Sequence, residues 1–300
     1  MLLRKLAGFQ RVKHKQLILF STTMIESIVL YASEAWGTFV SWKLGTWDRN
    51  LIERINFRIC KSILQVSPNT DSNGARSELG RLPLLYSIQK RSLQYWSSVR
   101  SRPDSIIAKL VADAEYNDVG IGEKMNSEVM QNCQQTRKTK SIKTHRENFE
   151  SEFRRHWSQR MEKSAKLSHF YYTFKKDFSR EKYLTIISNP EQRRTMSRFR
   201  LGNHKLACET LRTVRPKIAY ENRTCPKCRV EVENETHILF RCDWSVYVPI
   251  RNKFIEKVAG TVRNFESLTA DDKIVYLMTQ ESTDLTESFV DFIESILKAR

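Results

Sequence analysis

Cys225, Cys228, His237 and Cys242 stand in the spacing C-x2-C-x8-H-x4-C, within C-P-K-C-R-V-E-V-E-N-E-T-H-I-L-F-R-C. Two cysteines separated by two residues suit a tight knuckle that turns both thiolates toward one ion. The H-x4-C pair then supplies the remaining corners of a tetrahedron from the next element. Three soft sulfurs and one imidazole favour Zn2+ over magnesium or calcium. Four protein ligands leave no position for a reacting water, so the expected zinc is structural; a chance C-x2-C is the competing reading. Cys60, Cys133 and Cys208 are isolated and read as packed or surface thiols in a reducing compartment.

Beside this cluster, residues 191–230 hold 11 Lys or Arg against 3 acids, which concentrates positive charge next to the metal. The segment S-R-F-R-L-G-N-H-K-L at 197–206 interleaves Arg198, Arg200, His204 and Lys205 with Phe199, Leu201 and Leu206. Phosphate contacts need cations held on a rigid frame. Together with Lys227, Arg229 and Arg241 from within the metal motif, these four are the candidate nucleic-acid contacts. A solvated helix face is the alternative, and His204 as a zinc ligand competes with four better-spaced side chains.

The formal net charge of +17 produces a field that speeds encounter with polyanions and is weakened by salt, so RNA and/or DNA is the expected partner. The basic residues are spread along the chain and not gathered at one juxtamembrane cluster. The most apolar window, LILFSTTMIESIVLY at 17–31, is short for a span and contains Glu26, and MLLRKLAGFQ lacks the features of a signal peptide. No membrane partner is expected, and the expected compartment is intracellular, cytoplasmic and/or nuclear. Ala270-Asp271-Asp272 looks like a polymerase metal motif, but Thr269 and Asp272 match a helix N-cap and its third position. With no Gly-rich phosphate loop and no G-x-S-x-G elbow, no catalytic residue is assigned.

The elements that must position these groups are helices. Glycine and proline are scarce, at 9 and 7, and good helix formers fill the periodic stretches, so the expected fold is mostly α. Residues 1–66 read as a helical hairpin: one helix around 17–36, and one whose stripe is Leu51, Ile55, Ile59, Ile63 and Val66. The turn-rich SPNTDSNG at 67–74 closes it and opens a helical connector, 67–122. There Leu84, Ile88, Leu93, Tyr95 and Trp96 share a helix ending near Arg102-Pro103. Residues 123–144 read as an exposed linker. Residues 145–189 form basic aromatic helices, where Phe149, Phe153, Trp157 and Met161 repeat every four residues as a buried face and Phe170, Tyr171, Tyr172, Phe174 and Phe178 follow. A zinc-binding domain at 190–260 and acidic C-terminal helices at 261–300, packed as a cap, complete the chain.

The segments SRFRLGNHKLACETLR, ENRTCPKC, VENETHILFRC and FESLTADDKIVYLM resemble, in that order, the C-terminal region of LINE-type (non-LTR) retrotransposon reverse transcriptases. IESIVLYASEAWG is similar to the thumb helix that follows the polymerase palm, and ARSELGRLPLLYSIQKRSLQYW to the segment after it. The resemblance implies a thumb-like hairpin that grips a template–primer duplex and a small CCHC zinc module that engages RNA or target DNA. Cys225, Cys228, His237 and Cys242 carry over from it, as do Arg198, Gly202, Asn203 and His204. The family's catalytic palm precedes the thumb, so the resemblance implies a nucleic-acid-binding portion of an RNA-directed DNA polymerase that does not polymerise alone, with the missing palm domain as a partner. Leu211-Arg212 stands where the family has Gly-Arg, which puts a tight turn there in doubt. A zinc-stabilised helical protein-interaction scaffold is the alternative.

Overall fold

The computed structural model describes residues 14–37, 40, 43–100, 102, 104–107, 110 and 138–300. Among these the regular structure is helical, with no strand; extended pairing is limited to isolated bridges, Leu79 with Arg180 and Thr224 with Val232. The mostly α expectation holds. No described helix is long and apolar enough to cross a membrane. The chain divides into two units that alternate along the sequence: Met1–Ile18, Ile59–Arg81 and Arg160–Arg300 form one, Leu19–Arg58 and Leu82–Gln159 the other. The expected segments 190–260 and 261–300 both fall within the first of these units. Of the linker expected at 123–144, residues 138–144 open the helix Lys138–Glu162; 123–137, with Cys133, lie outside the described residues.

In the first unit, capping sets the helix starts. Asn189 accepts from the Glu191 amide, with Pro190 at the first position, and begins Pro190–Arg200. Thr269 accepts from the Asp272 amide and begins Ala270–Met278, so Ala270-Asp271-Asp272 is a helix start, as its flanks indicate. Ser282 caps Thr283–Ala299, along which Leu285, Phe289, Phe292 and Ile296 recur every three or four residues with Ile293 beside them, all buried. That face packs on Tyr247–Ala259 and Pro190–Arg200, with the Phe292 and Phe254 rings stacked at 4.2 Å. The acidic C-terminal helices therefore do pack as a cap within this unit.

The interior of the same unit holds a compact set of charges. Arg200, with its side chain 1% exposed, donates from Nε to Glu78 at 3.0 Å and from Nη2 at 3.1 Å, and from Nη1 to the Met278 carbonyl at 2.9 Å. Its Nη2 also lies 2.5 Å from Glu181, which pairs in turn with the buried Lys175. Two cations thus meet two carboxylates, with the Phe174 and Tyr183 rings against the guanidinium at 4.6 and 5.2 Å. Burial disfavours the Arg200 charge, but Glu78 and Glu181 outweigh it and hold the group protonated. Burial likewise pushes Glu181 up, yet Arg200 and Lys175 prevail and hold its carboxyl below the usual range. Glu78 arrives on Ser72–Glu78, a helix capped by Asp71 whose residues 73–78 are all buried. SPNTDSNG is therefore only half a turn. Gly74 is needed in it because a Cβ there would lie 2.9 Å from Leu201 and 3.0 Å from Leu167.

The expected 17–36 helix, most of it in the second unit, is interrupted. It runs as His14–Phe20, a π turn Ser21–Glu26 and Ser27–Val29, then passes Ala32 at φ 51° before Ser33–Trp36. Hydroxyls compete along it for the backbone: Thr23 Oγ1 donates to the Leu19 carbonyl and Ser27 Oγ to that of Thr23. Ser33–Trp36 packs on Leu84–Arg100, close enough that a Cβ on Gly37 would meet Ile88 at 2.4 Å. On Leu51–Ile63 the predicted stripe is corrected at its start, since Leu51 is 69% exposed. The inward side there carries Glu53, fully buried, which accepts from Trp47 Nε1, Asn56 Nδ2 and the Leu84 amide at 2.7–2.9 Å. Phe149, Phe153 and Trp157 are buried, as their spacing requires, and so is Met161 in the first unit.

Arg200→Met leaves two buried carboxylates short of a cation, and the expected loss is about 3–5 kcal/mol of unfolding free energy, measured by urea titration. Arg200→Lys should recover little of it, because an ammonium cannot reproduce the two-pronged contact with Glu78. Glu181 has a depressed folded pKa, so its stabilising contribution is present at neutral pH. It is lost as pH falls below about 4.3, the unfolded value, through the lower folded one; an acid unfolding series should show this loss in the wild type and not in Glu181→Gln.

Candidate metal centre

The knuckle is built by a short turn of chain. The Cys225 amide donates to the Glu231 carbonyl at 2.8 Å and the Arg229 amide to the Cys225 carbonyl at 2.9 Å. Arg229 closes the turn at φ 63°, and the Thr224–Val232 bridge pins its base. The second half follows from Asn234, whose Oδ1 accepts from the His237 amide at 2.8 Å and starts the π turn His237–Arg241. The Cys242 amide then donates to the His237 carbonyl at 2.7 Å. Arg251, on Tyr247–Ala259, holds this turn by donating to the Leu239 and Cys242 carbonyls at 2.7 and 2.5 Å. Ile238 and Leu239 anchor it by complete burial.

The outcome is that one ligand atom from each of Cys225, Cys228, His237 and Cys242 lies within 4.8 Å of all the others, so the group could hold a metal ion. Cys225, His237 and Cys242 are buried and Cys228 is half-buried. Cys228 Sγ is 3.3 Å from His237 Nε2. On the other side of the ring, His237 Nδ1 lies 3.2 Å from Glu231 Oε2. That carboxylate favours the proton on Nδ1 and leaves the Nε2 lone pair facing the sulfurs, a common second partner for a metal-bound histidine. Burial raises the Cys225 and Cys242 thiols, Cys242 to about 12. At Cys228 burial acts the same way but is outweighed by the Val230 and Glu231 amides, so its pKa is lowered.

The four ligands were visible from spacing; Glu231, Asn234 and Arg251 were not. A signal for the first was the alternation E-V-E-N-E at 231–235, in which the three carboxylates take three different partners: His237 for Glu231, Arg300 at 2.7 Å for Glu233, and His204 at 2.8 Å for Glu235.

The candidate nucleic-acid contacts separate into two groups. Arg200 and His204 are corrected: Arg200 is enclosed with Glu78 and Glu181, and the His204 side chain is 3% exposed against Glu235. Arg198 is half-buried and donates to the Gln65 carbonyl at 3.2 Å. Lys205, Lys227, Arg229 and Arg241 are exposed, with Lys227 4.3 Å over the Trp244 ring and Arg241 2.5 Å from Asp271. Gly202 and Asn203 end the helix Pro190–Arg200. Gly202 takes φ 60°, its amide donates to the Phe199 carbonyl and that of Asn203 to the Arg198 carbonyl, a Schellman closure that glycine permits. No family model, no curated protein and no solved structure matches this chain, so its functional reading rests on these residues themselves.

Proposed function

We propose that the chain is a zinc-stabilised nucleic-acid-binding module, the counterpart of the thumb and zinc-binding tail of a LINE-type reverse transcriptase. The observation that carries this is the convergence of three sulfurs and one imidazole nitrogen at Cys225, Cys228, His237 and Cys242. Zn–S bonds of about 2.3 Å and a Zn–N bond of about 2.0 Å at a tetrahedral angle place S and N roughly 3.5 Å apart, and the 3.3 Å between Cys228 and His237 fits. Three soft donors select Zn2+, and four protein ligands make its role structural. Around this frame the exposed Lys205, Lys227, Arg229 and Arg241 offer cations to phosphate. A chain with formal net charge +17 attracts such a partner at long range.

A zinc-stabilised scaffold for protein partners is the second reading, favoured by Leu19, Met24, Ile28 and Tyr31, all more than half exposed in the second unit. Partners that stay bound to the chain after nuclease treatment would favour it over the first.

Cys242→Ser is expected to lose one zinc per chain and to open the 225–242 amides to hydrogen exchange. Its stability cost is several kcal/mol, below the roughly 10 kcal/mol of isolated zinc modules, because Ile238 and Leu239 stay anchored. Undiminished zinc content would reject the assignment. Binding to single-stranded RNA should weaken about a hundredfold between 50 and 200 mM salt if about five phosphates are neutralised. Combining Lys205→Ala with Arg229→Ala should reduce the log–log slope by about 1.4. A flat salt profile would remove the nucleic-acid reading.

A further inference from the structure

Close to the knuckle, but outside its ligand set, a second group of metal-ligating side chains converges. His204, Cys208 and Glu235 place one nitrogen, one sulfur and one carboxylate oxygen within 4.8 Å of one another. His204 Nε2 is 2.8 Å from Glu235 Oε1, and Cys208 Sγ is 4.0 Å from Oε2. Cys208 is 4% exposed, and the side chains of His204 and Glu235 are 3% and 6% exposed.

Rigid pieces of chain deliver the three. His204 follows the Schellman closure at Gly202 and Asn203. Cys208 sits in the short helix Ala207–Thr210. Glu233 fixes that helix by accepting from the Ala207 amide at 2.6 Å on its carboxylate and from the Cys208 amide at 3.1 Å on its carbonyl. Arg300 engages both Glu233 oxygens, so Glu235 is the carboxylate presented to His204 and Cys208. A histidine–glutamate hydrogen bond engages Oε1, and the Cys208 thiol reaches the other oxygen, Oε2, only at the long distance of 4.0 Å. Burial first, and then Glu235, Glu209 and Glu233, pushes the Cys208 thiol far up, and a bound cation would favour its thiolate.

We propose that His204 Nε2, Cys208 Sγ and a Glu235 carboxylate oxygen form a second, three-ligand site for Zn2+. An imidazole, a thiolate and a carboxylate are all established zinc donors, and the sulfur disfavours magnesium and calcium. On binding, the Cys208 proton is released to solvent and the imidazole proton moves to Nδ1, giving up the long 3.4 Å contact from the Leu206 amide. Unlike the four-ligand cluster, this site keeps one coordination position for solvent or an exogenous ligand. It joins the end of the Pro190–Arg200 helix to the segment that leads into His237, and it does not depend on the nucleic-acid reading.

The test is zinc stoichiometry by elemental analysis of the full chain, loaded with excess Zn2+ and desalted. The expected result is about two zinc per chain, falling to about one in Cys208→Ala, His204→Gln and Glu235→Gln. In those variants the Co2+ absorption of the three-thiolate cluster should be unchanged, which reports that they fold. Cys228→Ser removes the other ion and leaves this one, so the two assignments fail separately. Where a variant does not fold, X-ray absorption of the wild type decides: about two sulfurs per zinc on average is expected, against about three if only the four-ligand cluster fills. A single zinc per wild-type chain, a three-sulfur average, or two zinc ions retained in Cys208→Ala would overturn the proposal.

Discussion

The unit that contains Cys225, Cys228, His237 and Cys242 is organised around a buried guanidinium that faces two buried carboxylates. Arg200 draws Glu78 from Ser72–Glu78, Glu181 from the 174–183 segment and the Met278 carbonyl from the end of Ala270–Met278 to one point. Taking such charges out of water costs several kcal/mol per ion, which is recovered only when nearly every donor and acceptor is matched. The guanidinium meets that condition with bonds to both carboxylates and a carbonyl, while Lys175 compensates the second carboxylate. A hydrophobic cluster tolerates sliding and repacking; this one fixes the direction of each contributing element. The orientation of Pro190–Arg200, and with it the position of the Gly202 closure and of everything from His204 onward, follows from that point.

The cluster of Cys225, Cys228, His237 and Cys242 addresses a different problem in the same unit. Residues 223–242 are polar and contain no regular element longer than the π turn His237–Arg241, so their own apolar burial is small: chiefly Ile238, Leu239 and the cysteines themselves. Short segments of this kind hold their shape only if something other than a core reduces their conformational freedom. Convergent ligands do this at the tip, while Arg251 holds the two carbonyls at the base. Glu231 orients the imidazole from outside the ligand set. The cluster is thereby joined to Tyr247–Ala259 and, through it, to the packed face of Thr283–Ala299.

What the sequence made legible was local. The convergence of Cys225, Cys228, His237 and Cys242, the Thr269 cap and the four-residue repeat from Phe149 to Met161 each have their evidence within one or a few turns of chain. What it hid depends on distant partners. Arg200 looks like a surface cation in S-R-F-R because its neutralising carboxylate lies 122 residues away; Ser72–Glu78 looks like a loop because its last polar residues, Ser77 and Glu78, are matched by the distant Tyr171 and Arg200. His204 was read as a phosphate contact for the same reason, with Glu235 31 residues downstream. The π turn Ser21–Glu26 was missed for another cause: apolar content predicted a continuous α-helix, while hydroxyls at Thr23 and Ser27 compete for the carbonyls of Leu19 and Thr23.

The same distinction changes how the charge should be counted. A formal +17 suggests many phosphate contacts, yet several arginines are committed to the protein's own carbonyls. Arg193 donates to Ile187 and Ser188, Arg223 to Ile218 and Cys208, Arg251 to Leu239 and Cys242, and Arg91 to Leu30. A planar fork with several donors suits this bracing of irregular chain, which lysine's single ammonium does less well. In a fold with no strand among its described residues and with long non-helical stretches, such bracing replaces ladder hydrogen bonds. The arginine content therefore reports partly on the architecture. Long-range attraction of a polyanion draws on the whole charge, but close contact falls to the cations whose tips reach solvent, and among the candidate contacts these include Lys205 and Arg229.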